Sequence, residues 1–160
     1  MNKVLQMLVV GTFVAVGSAG VALAAHAADP ALGTWTLNLD KSKFTPGPAP
    51  KSQSRTYAQT PDGIALTVTG VAADGSAMSN QSTFKYDGKD YPVTGSSDYD
   101  TLSLKRVNGS TVKSVQKKDG KYVGTTVRTV SGHGKVLTLT SKGKSATGTS
   151  FHNVAVYDKQ

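Results

Sequence analysis

The chain has 160 residues, no cysteine and a formal net charge of +8, with 18 lysine and arginine residues against 10 acidic residues, all aspartate. The absence of cysteine excludes disulfide bonds and a cysteine-linked lipid anchor, so the fold depends on its core alone. The positive charge is spread over many segments without interleaved aromatic residues, which argues against nucleic-acid binding and favours a solvated surface.

The N-terminal 27 residues have the order of a cleavable secretory signal peptide. Lys3 supplies the positive charge, residues 4–16 are mostly apolar, and the small-residue triplet ending at Ala27 fits a signal-peptidase site. The apolar run is too short and too rich in glycine and alanine for a membrane span. We therefore expect residues 1–27 to be removed and residues 28–160 to form one domain in the periplasm or outside the cell.

Beyond the signal peptide, period-two alternation dominates and helical periodicity is absent. In the first such segment, residues 33–40, the side chains of Trp35, Leu37 and Leu39 share one face. Further strands are expected in chain order at 54–59, 64–68, 78–86, 91–93, 101–107, 111–117, 122–130, 136–140 and 151–157. In the last of these, His152, Val154 and Val156 share one face, which we expect to point inward.

Between the first two strands lies the proline-rich segment 45–52, with the core sequence Pro46-Gly47-Pro48-Ala49-Pro50. Its three prolines favour a stiff, extended path and cannot donate to a β-ladder. We expect a loop that crosses one end of the domain. A lid over a ligand mouth and a segment that docks a partner are the alternatives.

Tight-turn pairs separate most of the later strands. Examples are Asp74-Gly75, Asp87-Gly88, Asn108-Gly109 and Asp119-Gly120, in which glycine accepts the positive φ that short hairpins require. Hairpins at such regular spacing predict an all-β fold, an antiparallel up-and-down meander of about eight to ten strands. Closure or near-closure into a barrel would remove exposed edges. A two-sheet sandwich is the alternative, but it needs longer connections than this chain offers.

Several segments carry a family resemblance. Gly33-Thr34-Trp35 resembles the Gly-x-Trp motif of the calycins, which include the lipocalins and fatty-acid-binding proteins. Together with residues 41–44, 86–95 and 154–158, it resembles a group of small exported bacterial proteins described as lipocalin-like. The resemblance covers nearly all of residues 28–160. It implies a lipocalin-like barrel and an exported location, without an established activity. In lipocalins a basic residue often packs over this tryptophan, and Arg128 is the candidate here.

Residues suited to catalysis or metal binding are few. Beyond residue 27 the histidines are His133, in a glycine-flanked turn, and His152, in the last predicted strand. No nucleophile elbow or phosphate-binding loop is present. Asp98 and Asp100 form an Asp-x-Asp pair without the further oxygen ligands that a calcium site needs. The sequence therefore predicts a protein that is not an enzyme and has no metal or cofactor.

The inner face of the predicted barrel is the best candidate for a binding site. An apolar lining with a few polar groups is typical of small-ligand pockets, although the same residues would also fill a solid core. The predicted ligand-binding residues are Trp35, Leu37, Tyr57, Leu66, Phe84, Tyr86, Leu104, Leu139, His152 and Val154.

Two functional hypotheses follow. The first is a soluble exported barrel that binds a small, largely apolar ligand and carries out no catalysis. The second is an interaction or structural module whose basic outer face contacts an anionic polymer or a membrane surface. That face would comprise Lys105, Arg106, Lys113, Lys117, Lys118 and Lys121.

Overall fold

A computed structural model describes residues 28–145 and 147–160, and the predicted signal peptide lies outside the described residues. The described chain forms ten strands in sequence order. They are β1 (Gly33–Thr45), β2 (Ser52–Thr60), β3 (Gly63–Val71), β4 (Ala77–Phe84), β5 (Asp87–Pro92), β6 (Thr101–Arg106), β7 (Thr111–Lys118), β8 (Lys121–Ser131), β9 (Val136–Lys144) and β10 (Ser150–Lys159). Across this part of the chain, no helix is long and apolar enough to cross a membrane.

The strands form one antiparallel sheet that is nearly closed into a barrel. Its order is β4-β3-β2-β1-β10-β9-β8-β7-β6-β5, so the first and last strands pair and every other pairing joins neighbours in sequence. The sheet edges β4 and β5 meet through an isolated bridge between Gln81 and Thr94, which lies just after β5, and through a 2.9 Å hydrogen bond from the Ser82 hydroxyl to the Pro92 carbonyl. The all-β meander and the nearly closed barrel are therefore confirmed.

One end of the barrel is closed by Trp35, at the start of β1. Its side chain is fully buried, and its indole Nε1 donates a 2.7 Å hydrogen bond to the carbonyl of Ala31. The chain just before β1 thus folds under the barrel and supplies an acceptor for the one polar atom of the tryptophan ring, which would otherwise be costly to bury.

The alternation predicted for β1 holds at its start and then fails. The register with β10 shifts between Asn38 and Lys43, and the Ser42 hydroxyl donates to the Asn38 carbonyl at 2.6 Å within this irregular stretch. A bulge of this kind changes which side of the sheet the following residues face. Leu39, expected on the inner face, is consequently 42% exposed.

The inward face predicted for β10 is wrong. Ala155 and Tyr157 are buried, and they lie opposite Leu139 and Leu137 of β9, which are also inner-face residues. Because successive side chains of a strand point to opposite faces, His152 and Val154 lie on the outer side. The valines misled the prediction because both faces of β10 carry apolar residues, so alternation alone could not identify the inner one.

The predicted turns include one whose two central residues both have positive φ. Asp119 and Gly120 join β7 to β8 with φ values of 49° and 73°, the combination that a two-residue primed turn requires. His133 also lies in a left-handed conformation, with φ 55°, in the exposed turn between β8 and β9. Its placement in a turn agrees with the expectation from its flanking glycines.

Candidate functional site

The barrel encloses a cavity of about 620 Å³. Its mouth is at the end opposite Trp35, because the lining there comes from three loops: Pro46 and Gly47 after β1, Asp98 and Tyr99 between β5 and β6, and Ser145, Thr147 and Thr149 between β9 and β10. The proline-rich loop therefore borders the mouth. The interior is a cavity rather than a filled core, a distinction that the sequence left open.

The structure divides the ten predicted ligand-binding residues into three groups. Cavity-lining residues are Tyr57, Leu66, Phe84, Leu104 and Leu139. Residues packed in the core without lining the cavity are Trp35, Leu37 and Tyr86. Residues on the outer face are His152 and Val154. A ligand-binding role stays a prediction for the first group, whereas the last two face away from the cavity.

Sequence reasoning missed Arg55, a charged residue on the cavity wall. It lines the cavity with Gln53 and Tyr57, its neighbours on the same face of β2. One guanidinium nitrogen, Nη1, donates to the Tyr57 hydroxyl at 3.2 Å, and the guanidinium carbon lies 5.6 Å from the ring centroid of Tyr157. The sequence does contain an indication of this position. Arg55 lies two residues before Tyr57 and therefore on the same face of the strand, and Tyr57 is predicted to point inward.

The tyrosines around Arg55 keep their hydroxyl protons. Burial raises the pKa of both Tyr99 and Tyr157 above the usual value of 10.0. The Tyr157 hydroxyl donates to the side-chain oxygen of Gln53. Burial by itself disfavours the charge on Arg55, but its tyrosine neighbours more than offset this and the arginine pKa lies above its ordinary value. The site is therefore a permanent cation surrounded by neutral hydroxyl groups.

Another arginine of the lining, Arg128, is buried and is paired with a carboxylate at the closed end. Its Nη2 atom donates to the Tyr86 hydroxyl at 2.8 Å and lies 3.4 Å from the carboxylate of Asp29. Arg106 contacts the same carboxylate at 3.0 Å, and the Ala31 amide donates to it at 2.9 Å. The Asp29 carboxylate therefore contacts two arginines, a tyrosine and a backbone amide beneath the cavity.

These contacts change the acid–base behaviour of the cluster. Burial raises the pKa of Asp29, but the Tyr86 hydroxyl, the Ala31 amide and the two arginines outweigh it, so the pKa lies below its ordinary value of 3.8. Burial raises the pKa of Tyr86 to about 12. At neutral pH the Asp29 carboxylate is therefore ionised and accepts a hydrogen bond from the protonated Tyr86 hydroxyl. We expect this cluster to stabilise the closed end of the barrel.

Part of the cavity wall is polar and internally satisfied. Gln116 Nε2 donates to Ser114 Oγ at 3.2 Å and to Thr126 Oγ1 at 3.0 Å, and Thr126 shares a 2.8 Å hydrogen bond with Ser141. These side chains belong to β7, β8 and β9 and all line the cavity. Because they bond mainly to one another, they make the wall hydrophilic without leaving a charge exposed to the interior.

The basic residue over Trp35 is Lys159 rather than Arg128. The Lys159 Nζ atom lies 5.0 Å from the tryptophan ring centroid, and the two residues are direct partners in the β1–β10 register. Arg128 instead stacks over Tyr57 at 4.9 Å and Tyr86 at 5.5 Å. The expectation that Arg128 covers the tryptophan is therefore wrong, because the last strand, rather than β8, adjoins β1.

The titratable residues offer no cluster for metal binding in the part of the chain that the structure describes. Residues 28–145 and 147–160 contain no group of three or more histidine, cysteine, aspartate or glutamate side chains able to hold a metal. His133 and His152 are both exposed, and neither lines the cavity.

The six basic residues of the second hypothesis lie on three consecutive strands, β6, β7 and β8. Arg106 is held by Asp29 at the closed end, and Lys117 pairs with Asp90 at 2.6 Å. The other four form two adjacent pairs, because Lys105 lies opposite Lys113 and Lys118 lies opposite Lys121. Contact of this face with an anionic polymer or a membrane surface stays a prediction.

Comparisons with known proteins give a likeness in structure and none in sequence. No protein-family model matches the chain, and no curated protein matches it in sequence. The chain is similar to the crystal structure of zebrafish ileal bile acid-binding protein complexed with cholic acid. Identity is 14%, with 82% of this chain and 99% of that chain covered, and the TM-score is 0.48. The fold assignment rests on the strand pairing described above and not on this likeness.

Proposed function

We propose that this protein is an exported barrel that binds one small, largely apolar molecule in its interior and carries out no reaction on it. The observation that carries the proposal is the cavity of about 620 Å³. Pockets that enclose small molecules typically measure about 300–1,000 Å³. A domain with an interior cavity of this size has room for a ligand. It also lacks the packing contacts that would stabilise a filled core.

The cavity has the two-part lining that such a ligand needs. Its apolar part is contributed by several strands: Leu66, Phe84, Leu104, Val112 and Leu139. Burial of a ligand's hydrocarbon against these residues would supply roughly 25 cal/mol for each Å² removed from water. The polar residues of the lining would orient the ligand rather than supply most of the affinity.

Binding without chemistry is favoured by what lines the cavity. His133 and His152 lie outside it, and the lining consists mainly of aliphatic, aromatic, hydroxyl, amide and arginine side chains, with Asp98 and Lys144 at the mouth. An arginine stays protonated at neutral pH and cannot act as a general base. The proposal therefore assigns the interior residues to binding and positioning alone.

The exported location rests on the N-terminal sequence, residues 1–27. Intact mass measurement of the protein recovered from periplasmic and medium fractions of its own host tests it. We expect the mass of a chain that begins at Ala28. Recovery of the full-length chain from the cytoplasmic fraction alone would contradict export while leaving ligand binding untouched.

A neutral fluorescent probe tests the binding function directly. N-phenyl-1-naphthylamine is apolar, uncharged and bright only in dry surroundings. Titration into the folded protein should give a saturable rise in fluorescence at one probe for each chain, and competition by the natural ligand should reverse it. Absence of saturable binding, with circular dichroism confirming the β-fold, would contradict the proposal.

A further inference from the structure

We propose that Arg55 is the head-group site of this cavity and that the bound molecule carries a carboxylate. This inference rests on the proposed function, since it assigns the chemical class of the same ligand. It goes further by requiring a negative charge at one defined place on the wall, with an apolar body directed elsewhere in the cavity.

The first support is the number of donors that Arg55 leaves unused. A guanidinium offers five N–H groups, and among the described residues only the Nη1 contact with Tyr57 meets a protein acceptor. The Nε atom is buried without any hydrogen-bond partner. Unpaired buried donors of a charged group are costly, and such groups are normally bonded in folded proteins. A ligand acceptor would remove that cost.

The second support is the absence of a counter-ion. The ion pairs of the described residues are Lys41–Asp158, Arg106–Asp29, Lys117–Asp90 and Arg128–Asp29, and none involves Arg55. Asp98 lines the mouth of the cavity but forms no ion pair with Arg55. Arg55 is half-buried on the cavity wall, and charges withdrawn from bulk water are ordinarily paired, so the partner of this one is to be sought in the cavity.

Arg128 provides an internal comparison for Arg55. Both arginines line the cavity and both have a buried, unpartnered Nε atom, but Arg128 has Asp29 as its carboxylate. The same fold thus contains one arginine with its anion supplied by the chain and one without. The geometry around Arg128, with a tyrosine hydroxyl beside the carboxylate, is the arrangement that a ligand carboxylate would reproduce at Arg55 and Tyr57.

A carboxylate suits the site better than a doubly charged phosphate. The guanidinium fork matches the two oxygens of a carboxylate in a bidentate contact. Arg128 has the Asp29 carboxylate as its partner, so Arg55 is the arginine of the cavity that lacks one among the described residues. A carboxylate brings one negative charge to this guanidinium, whereas a doubly charged phosphate brings a second charge at the cost of further desolvation.

The experiment compares three amphiphiles that share a twelve-carbon chain. Dodecanoate, dodecan-1-ol and dodecyl phosphate each compete with N-phenyl-1-naphthylamine at pH 7.5. We expect dodecanoate to bind about tenfold or more tightly than the alcohol, as a charge-assisted hydrogen bond predicts. In Arg55→Met, dodecanoate should fall to the affinity of the alcohol, while the alcohol and the neutral probe bind as before.

Two further variants control for charge and for the shape of the fork. Lys113→Gln removes one positive charge from the exposed outer face and should leave the preference for dodecanoate unchanged. Arg55→Lys keeps the charge without the planar fork and should retain part of the preference. Thermal unfolding distinguishes a binding role from a structural one. Arg55→Met should unfold at the same or a higher temperature than the wild type, because it removes a charge that has no ionic partner. If Arg55 had a structural role, the variant would unfold at a lower temperature.

The outcomes separate this inference from the proposed function. If the neutral probe binds but the wild-type protein does not distinguish dodecanoate from dodecanol, the carboxylate site is wrong and ligand binding stands. Tighter binding of dodecyl phosphate than of dodecanoate would overturn the assignment of a monoanion. A destabilised Arg55→Met variant that keeps its preference for dodecanoate would make Arg55 a structural residue. If neither the probe nor any amphiphile binds, both proposals fail.

Discussion

The guanidinium Nη2 of Arg128, on β8, lies 3.4 Å from the carboxylate of Asp29, which precedes the first strand by four positions. Both side chains are almost fully withdrawn from solvent, with 7% and 5% of their surface exposed. The contact joins the start of the described chain to a strand near its far end. It therefore holds the N-terminal segment beneath the barrel, next to the Ala31 carbonyl that accepts from Trp35.

Loss of the Asp29 charge should be costly. Asp29→Asn leaves Arg128 without its carboxylate, and removal of one partner from a buried ion pair typically destabilises a protein by about 3 kcal/mol or more. Urea unfolding monitored by circular dichroism measures this. The matched control is Asp90→Asn, which breaks the solvent-exposed pair with Lys117 and should cost no more than about 1 kcal/mol. Equal effects of the two substitutions would argue against a structural role for the buried cluster.

The same cluster should make stability depend on acid pH. The pKa of Asp29 in the folded protein lies below its ordinary value of 3.8, so the unfolded chain takes up the proton first as the pH falls. The stability that Asp29 contributes is thus fully present above about pH 5 and is lost as the pH drops through 3.8 and below. Urea midpoints of wild type and Asp29→Asn should differ most at pH 7 and converge toward pH 3. A constant difference across this range would contradict the prediction.

Two phenylalanine substitutions on β10 test which face of this strand lines the cavity. Ala155 is buried and lines the cavity, whereas Val154 is its neighbour on the outer face. Ala155→Phe should fill part of the interior and weaken binding of N-phenyl-1-naphthylamine by about tenfold or more. Val154→Phe introduces the same side chain outside and should leave the affinity unchanged. The reverse result would restore the inward orientation of Val154 expected from the sequence.

The contact between Lys159 and Trp35 can be followed through the fluorescence of the only tryptophan in the chain. Lys159→Met should change the emission of Trp35 and cost about 0.5–1 kcal/mol, as expected for a cation held over an aromatic ring. Lys144→Met, at the opposite end of the barrel, is the control and should leave the emission unaltered. An emission change in Lys144→Met of the same size would show that the spectrum reports general charge rather than this contact.

The strand pattern was predictable because its signals are local. Each of the ten predicted segments overlaps an observed strand, since alternation and tight-turn residues such as Asp119-Gly120 act within a few positions of the chain. The cavity residues were predicted in part. Leu66 and Leu104 are correctly predicted to point inward because their strands have one clearly apolar face, and Phe84 because it is the aromatic residue of β4.

The errors arose where a local pattern was ambiguous or interrupted. Leu39 is exposed because the bulge between Asn38 and Lys43 shifts the register of β1. Val154 and His152 face outward because both sides of β10 carry apolar residues, so burial depended on pairing with β9. Arg55 was overlooked because a charged residue on an inner face breaks the apolar pattern by which that face was recognised.

The sequence by itself therefore determined the strands, their antiparallel neighbours and the absence of cysteine cross-links, all of which follow from short-range patterns and composition. The tertiary structure decided which face of each strand is buried, that the interior contains a cavity, and that Asp29 reaches Arg128 while no carboxylate among the described residues pairs with Arg55. These features depend on distances between residues far apart in the chain, and a period of two cannot specify them because a one-residue shift exchanges the faces of a strand.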